Sequence, residues 1–231
     1  MNDIKVITVC VDYHDILSMT LPVTASMFDS ILVVTSKKDI QTQQLVDKFD
    51  NVECHVTDVF YENECAFNKG AAIEESFDVA GREGWFLILD ADIVLPSNIG
   101  IPEDRDTDTI YGVGRRQLVN ASDYASGMYD DYTNWNMLHR VGDPDKAPGF
   151  FQLFHASSKS LCDKPWYPTD WRHAGGCDSF FERKWPTPKR KKLSSFEVLH
   201  IGPLGLNWFG RVSKYTDGTV PFNTDSKVKQ I

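Results

Sequence analysis

No stretch of this sequence stays apolar for long enough to cross a bilayer. A spanning helix needs about 20 such residues, and the runs here end after a handful. The N-terminus enters a Val- and Ile-rich segment almost at once, without the pattern of a secretory leader. Cysteine is scarce and scattered: Cys10, Cys54, Cys65, Cys162 and Cys177 show neither paired nor metal-type spacing. That excludes a disulfide framework and sets the expectation of a reduced, cytoplasmic compartment. Positive charge is the minority sign, with 24 Lys and Arg against 33 Asp and Glu and a formal net charge of -9. A protein that coats nucleic acid with its whole surface is therefore excluded. There is no repeat, low-complexity tract or linker, and 231 residues with 42% hydrophobic content fit one globular domain, 1–231.

What the sequence does have is the stretch Trp85-Phe86-Leu87-Ile88-Leu89-Asp90-Ala91-Asp92-Ile93-Val94-Leu95-Pro96. Its apolar run is short and follows Gly84, which favours a strand buried on both faces. The carboxylates come only at its end, where open α/β sheets bind ligands. Alternate residues of an extended chain share a side, so Asp90 and Asp92 can converge on one object. Two anionic oxygen donors suit Mg²⁺ or Mn²⁺, and such an ion can hold a diphosphate. A strand followed by an Asp-rich turn accounts for the same spacing equally well.

The remaining pattern alternates strands and helices. Strands are expected at Ile4 to Val11, Ser30 to Thr35, Val52 to Val56 and Trp85 to Asp90. Between them, helices are expected from Asp12-Tyr13-His14-Asp15 toward Met27, with a kink or restart at Pro22, from Gln41 to Phe49, and from Phe67-Asn68-Lys69-Gly70 to near Gly81. This order predicts an α/β fold with a mostly parallel sheet and helices on both faces. Later, Thr109 to Val113, Gly149 to Phe154 and Phe196 to Ile201 read as strands, Tyr124 to Leu138 and Cys177 to Lys184 as helices, and the chain from Gly202 as loop.

Six segments together resemble nucleotide-sugar-dependent glycosyltransferases of the GT-A fold, close to the family-2 type and to the galactosyltransferases. They are Val9-Cys10-Val11-Asp12-Tyr13, Phe67-Asn68-Lys69-Gly70, Asp90-Ala91-Asp92, Gly149-Phe150-Phe151-Gln152-Leu153-Phe154, Ala174-Gly175-Gly176-Cys177-Asp178 and Leu199-His200-Ile201-Gly202. Each alone is weak, but they occur in the family's order. Asp90-Ala91-Asp92 is similar to the family's DxD motif. One departure stands out: Cys177 occupies the place of a Glu in the galactosyltransferase pattern, which implies different recognition of the acceptor hydroxyl.

The resemblance implies a Rossmann-like GT-A domain, with 1–96 binding the nucleotide sugar and 97–231 the acceptor. It makes Asp92 the direct metal ligand, Asp90 its assistant near the ribose, and His200 a further ligand to Mn²⁺ or Mg²⁺ through a neutral imidazole nitrogen. A buried strand-end histidine bonded to a backbone carbonyl is the competing reading of His200. Asp178, past two glycines and at a helix start, becomes the general base, against the plain alternative of an N-cap. The donor, with UDP the family's commonest nucleotide, is expected against Val11, Asp12, Tyr13, Thr35, Lys69, Asp90 and Ala91. The acceptor is expected against Gly149, Gly176, Arg183 and Trp208, where Trp208 either folds over the bound donor or plugs the core.

The basic run Arg183-Lys184-Trp185-Pro186-Thr187-Pro188-Lys189-Arg190-Lys191-Lys192 follows the expected acceptor helix in an otherwise acidic chain. A charge run is ordinarily a solvated face. Beside Trp185 it can also track a phosphate backbone. That sets up a polyanionic acceptor, in its most specific form a hydroxymethylated pyrimidine flipped out of DNA, as in virus-encoded enzymes acting in an infected bacterial cell. The rival acceptors are a surface glycan or a lipid-linked saccharide. A nucleotide-sugar-binding module without catalysis is the non-enzymatic reading.

Overall fold

The β-branched segment Ile4–Val9 forms strand β1 near the middle of a sheet. The structure, a computed structural model, describes residues 3–141, 149–202 and 207–211. Strands follow in chain order at Ser30–Thr35 (β2), Val52–Val56 (β3), Trp85–Leu89 (β4), Ile93–Val94 (β5), Ile110–Leu118 (β6), His139–Val141 (β7), Phe151–His155 (β8) and Arg190–Ile201 (β9). Helices lie at His14–Met27 (α1), Ile40–Val46 (α2), Lys69–Ala80 (α3), Ala121–Ala125 (α4) and Cys177–Glu182 (α5). Among the described residues these strands make one sheet of order β3-β2-β1-β4-β8-β6-β9-β5, with β7 on β6.

The first four strands pair in parallel, as expected from their helical crossovers. Beyond β4 the sheet becomes mixed. β8 runs antiparallel to β4, β9 parallel to β6, and β5 antiparallel to β9. Every residue of β4 is buried, because both faces are covered. Leu87 and Leu89 join Leu17 and Leu21 of α1 and Val46 of α2 on one side. Phe86 and Ile88 join Ile73 and Phe77 of α3 and Phe181 of α5 on the other. That two-sided burial is the physical reason for the unbroken apolar run before Asp90. No helix among the described residues is long and apolar enough to cross a membrane, and all five cysteines are free.

Four details differ from the sequence expectation. α1 continues through Pro22, because Leu17, Thr20, Leu21 and Thr24 are buried on both sides of it and outweigh the single missing N–H. The expected helix from Tyr124 to Leu138 is broken. α4 ends before Gly127, whose φ is +80°, and a separate 3₁₀ turn, Tyr132–Met137, starts where the Asp131 side chain accepts from Thr133 N. β6 extends past Val113 to Leu118. β9 begins at Arg190, so it takes up the end of the basic run. Of the expected loop after Gly202, residues 203–206 and 212–231 lie outside the described residues.

Candidate active site

Asp90 leaves the end of β4 with its N–H donating to the Phe150 carbonyl at 3.1 Å. Opposite it, Lys69 at the start of α3 forms a short ion pair with the Asp90 carboxylate. The segment Phe67-Asn68-Lys69-Gly70 is built for this contact. Asn68 caps α3 by accepting from Ala71 N at 3.0 Å, and its amide donates to Thr169 O at 2.7 Å. Gly70 lets Pro168 come against the helix: a Cβ there would lie 2.0 Å from the Pro168 carbonyl oxygen. Burial works against the Lys69 charge, but Asp90 and the neighbouring acids outweigh it and hold the ammonium pKa above its ordinary value.

Asp92 sits two residues on, after a turn closed by Ile93 N donating to Asp90 O. β5 and β9 pair in the register Ile93↔His200, which brings the late histidine beside the early carboxylate. His200 Nε2 lies 3.6 Å from Asp92 Oδ2, and the Tyr13 hydroxyl lies 3.5 Å from the same oxygen. Asp92 Oδ1 is buried without a hydrogen-bond partner. Burial pushes the Asp92 carboxyl up from its usual range, with His200 and Lys69 opposing and Asp90 adding to the shift. On the far side of His200, the Gln117 amide nitrogen approaches Nδ1 at 3.1 Å and also bonds Gly202 O. Tyr13 is held from above by Arg211, whose guanidinium lies 4.0 Å from the ring centroid and binds both oxygens of Asp15 at 2.7 and 2.8 Å.

Asp178 enters from α5. Gly176, with φ of +93°, turns the chain into the helix, a conformation that favours glycine. Asp178 is in the first turn, and Gly176 is the capping residue, so the plain N-cap reading does not hold. The carboxyl lies against bare backbone: a Cβ on Gly149 would be 1.6 Å from Asp178 Oδ2. Burial raises its pKa against the pull of Lys69. Gln152, the second residue of β8, holds the helix in place by donating to Asp178 O at 3.1 Å while accepting from the Tyr167 hydroxyl at 3.0 Å. Cys177 is buried and donates to Ala174 O, and its thiol pKa is pushed up to about 12. It is an inert packing group and not an acceptor contact.

The structure thus brings together Asp90, Asp92, His200, Asp178, Lys69, Tyr13, Gly149 and Gly176. Other expected contacts are elsewhere. Thr35 is fully buried and its hydroxyl donates to Asp39, so it offers nothing to a nucleotide. Val11 and Ala91 are buried in the two cores, and the Ala91 carbonyl accepts from Thr20. Asp12 is exposed in a left-handed conformation, φ 54°, with its N–H on Asp39 Oδ2 at 2.7 Å. Asp39, 3% exposed, is the hidden organiser of this rim, because it also caps α2 through Thr42 N. Trp208 is 52% exposed and does not plug the core. Its ring lies against Gly175 and its carbonyl accepts from Ala174 N at 2.7 Å, beside the Asp178 helix.

The end of the basic run, Arg190 to Lys192, lies away from the His200 end of this site. Arg190 pairs with Ile110 and His200 with Gln117, so seven positions of β6 separate them, roughly 23 Å at about 3.3 Å per residue. Arg183 is exposed beyond the C-terminal end of α5, the end away from Asp178. Trp185 is wholly buried and cannot stack on a base. Lys189 is paired with Asp106, and Lys184 and Arg190 donate to backbone carbonyls. In place of that run, the structure puts Arg115 of β6 at the site, a residue that sequence reading passed over. Its guanidinium lies 4.6 Å from the Phe150 ring centroid.

Among the described residues no three His, Cys, Asp or Glu side chains stand already gathered around a cation position. The donor set nevertheless fits a divalent ion. Asp92 presents a buried oxygen with no donor, His200 is next to it, and Mg²⁺- or Mn²⁺-type sites commonly use one or two protein ligands and complete their shell with phosphate oxygens.

No protein-family model and no curated protein matches the sequence. Among solved structures, one similar chain is glucosyl-3-phosphoglycerate synthase from Mycobacterium tuberculosis in complex with Mn²⁺, UDP and phosphoglyceric acid, at 12% identity over 86% of this chain and 69% of that one, TM-score 0.48. Another is a galactosyltransferase in complex with donor and acceptor sugar analogues, at 9% identity over 80% and 66%, TM-score 0.45. A third is 4-diphosphocytidyl-2C-methyl-D-erythritol synthase from Anaerococcus prevotii, at 14% identity over 88% and 90%, TM-score 0.41. Likenesses this weak decide nothing about activity, which has to be read from the site.

Proposed function

We propose that the protein is a metal-dependent glycosyltransferase of the GT-A type that moves a sugar from a nucleoside diphosphate, UDP first among them, to a hydroxyl acceptor. The observation that carries this reading is the meeting of His200 with Asp92 at 3.6 Å, across the β5–β9 pairing, beside a carboxylate–lysine pair and a second, separately housed carboxyl. Asp92 and His200 would hold Mn²⁺ or Mg²⁺, which supplies charge neutralisation to a departing diphosphate. Lys69 fixes Asp90. Tyr13, clamped by Arg211 and Asp15, gives the donor a rigid aromatic floor next to Asp92.

Asp178 takes the proton. The acceptor oxygen attacks the anomeric carbon and forms the new C–O bond as the bond from that carbon to the diphosphate oxygen breaks. The electron pair leaves with the diphosphate, and the hydroxyl proton passes to the Asp178 carboxylate. A base approaching opposite the leaving group makes the outcome inverting. A carboxyl whose pKa is raised by burial is well suited to this, because it is more basic than a solvated aspartate. The separation of Arg190 from His200 along β9, and the burial of Trp185, favour a saccharide acceptor over a DNA base.

The deciding experiment incubates the protein with Mn²⁺ and a panel of nucleoside-diphosphate sugars, with and without oligosaccharide acceptors and hydroxymethylpyrimidine DNA. Products are read by mass spectrometry. Slow sugar release or transfer, abolished in Asp92→Asn, is expected. A protein that binds no nucleotide diphosphate by calorimetry would refute the reading, and one that binds it without turnover would be the non-catalytic module.

A further inference from the structure

Among the described residues the Arg115 side chain makes no hydrogen bond or ion pair, only a contact with the Phe150 ring. Strand alternation puts it on the same face of β6 as Gln117, one pleat repeat away, and Gln117 touches His200. Its neighbour Arg116 faces the other way and is fully engaged, donating to Glu197 Oε2 at 2.7 Å and to Leu138 O at 3.0 Å. Arg115 makes no such bond. Its Nε is buried and unsatisfied, and its guanidinium lies 4.6 Å from the centroid of the Phe150 ring. Stacking holds the plane of the group and leaves its N–H edge unspent. Phe150 in turn accepts from Asp90 N and follows Gly149, against which Asp178 rests.

A buried guanidinium N–H such as Nε of Arg115 is costly to leave unbonded unless a ligand completes it. The surrounding charges indicate which ligand. Asp92, Asp90 and Asp178 all act electrostatically on Arg115, so the guanidinium shares its surroundings with the three carboxylates of the site. Asp90, Asp92 and Asp178 face Lys69 and Arg115, so the protein groups alone carry one surplus negative charge. A divalent cation and a doubly charged diphosphate ester cancel one another and leave that single charge unchanged. Without Arg115 the surplus would be two. As the sugar leaves, the diphosphate gains a further negative charge, and a planar fork with free N–H groups matches its oxygens.

We infer that Arg115 is the residue that binds the phosphoryl oxygens of the leaving diphosphate, and that the donor is accordingly a sugar activated by a diphosphate and not by a monophosphate. The inference rests on the glycosyltransferase reading and deepens it. An anionic group on the acceptor has the same chemistry, and the experiment separates the two sources.

The test measures, by calorimetry with Mn²⁺ present, the binding of UDP, GDP, UMP and inorganic pyrophosphate to the wild-type chain and to Arg115→Gln and Arg115→Lys. For Arg115→Gln, the affinity for the preferred nucleoside diphosphate and for pyrophosphate should fall about 10- to 100-fold, as expected for a lost charge-assisted pair. UMP affinity should change by less than about threefold, and Arg115→Lys should recover part of the loss. Melting curves report whether each variant is folded, and Arg115→Lys alone suffices if the glutamine variant is not. Diphosphate affinity unchanged in the variants overturns the inference, and a rise confined to acceptor KM would move Arg115 to the acceptor. If the wild-type chain binds neither nucleoside diphosphate nor pyrophosphate, the glycosyltransferase reading itself fails.

Discussion

Gly149→Ala is the sharpest perturbation the site allows, because it adds one methyl group and touches one side chain. The added Cβ would stand 1.6 Å from Asp178 Oδ2, 2.1 Å from Cγ and 2.2 Å from Asp178 Cβ. To reach a 3.4 Å contact the carboxyl oxygen must retreat by about 1.8 Å. All three atoms belong to Asp178, and because its Cβ is fixed to the backbone, the first turn of α5 has to shift together with the carboxyl. A displacement of about 1 Å in a reacting group costs on the order of 100-fold in rate. Transfer by Gly149→Ala should therefore fall at least 100-fold, while Mn²⁺-dependent nucleotide binding stays within a few-fold of wild type. The assay is single-turnover transfer, with calorimetry for binding and circular dichroism for the fold. A double-mutant cycle makes the logic strict. In an Asp178→Gly background all three clashing atoms are gone, so adding Gly149→Ala should cost nothing further. If Gly149→Ala transfers at near wild-type rate, or if the two changes are additive, Asp178 is not the base.

Asp178→Asn should abolish transfer by roughly 100- to 10,000-fold, with nucleotide binding kept and thermal stability no lower than wild type, since burial disfavours the native carboxylate. The same raised pKa predicts that transfer declines as pH falls through a window above the ordinary aspartate range. A carboxyl with a raised folded-state pKa binds its proton more readily in the folded chain, so its contribution to stability grows over that window as activity is lost; pH–rate profiles and urea unfolding at matched pH check both signs. His200→Ala should weaken Mn²⁺ binding, followed by electron paramagnetic resonance, by about tenfold or more, and an unchanged affinity would take the imidazole out of the ligand set. Gly70→Ala should destabilise the fold by about 1–3 kcal/mol in urea titrations, because its Cβ meets the Pro168 carbonyl, a backbone atom that cannot swing aside.

The parts of the fold that the sequence discloses are those in which local pattern and burial coincide. β2 and β3 match their expected limits, and β4 stops one residue before the expected Asp90, since a run covered on both faces can only be apolar and only a turn can end it. What it hides depends on register. That β9 pairs with β6 in parallel and with β5 in reverse is not written in any one segment, yet it is what sets His200 against Asp92 and carries the basic run to the opposite end. Adjacency in sequence was a poor guide there: Arg190, Lys191 and Lys192 follow α5 closely in the chain but pair with the end of β6 opposite the one that pairs with His200.

The same distinction explains which functional residues were missed. Asp39, Gln117 and Gln152 are polar residues enclosed by the fold, each bonded to a group that the motifs do name: Asp12, His200 and Asp178. Nothing in their local spacing marks them, because their role is to orient a neighbour that comes from a different element. One signal was present. Gln152 lies in the middle of Phe150-Phe151-Gln152-Leu153-Phe154, a run that is otherwise wholly apolar, and an amide there has to find partners inside the protein or the strand is penalised. Arg115 differs in kind. Its strand carries two adjacent arginines, which alternation sends to opposite faces, so one of them was bound to meet the site side of the sheet. The pairing of Arg116 with Glu197 settles which one is structural, and so leaves Arg115 with its edge open beside the carboxylates.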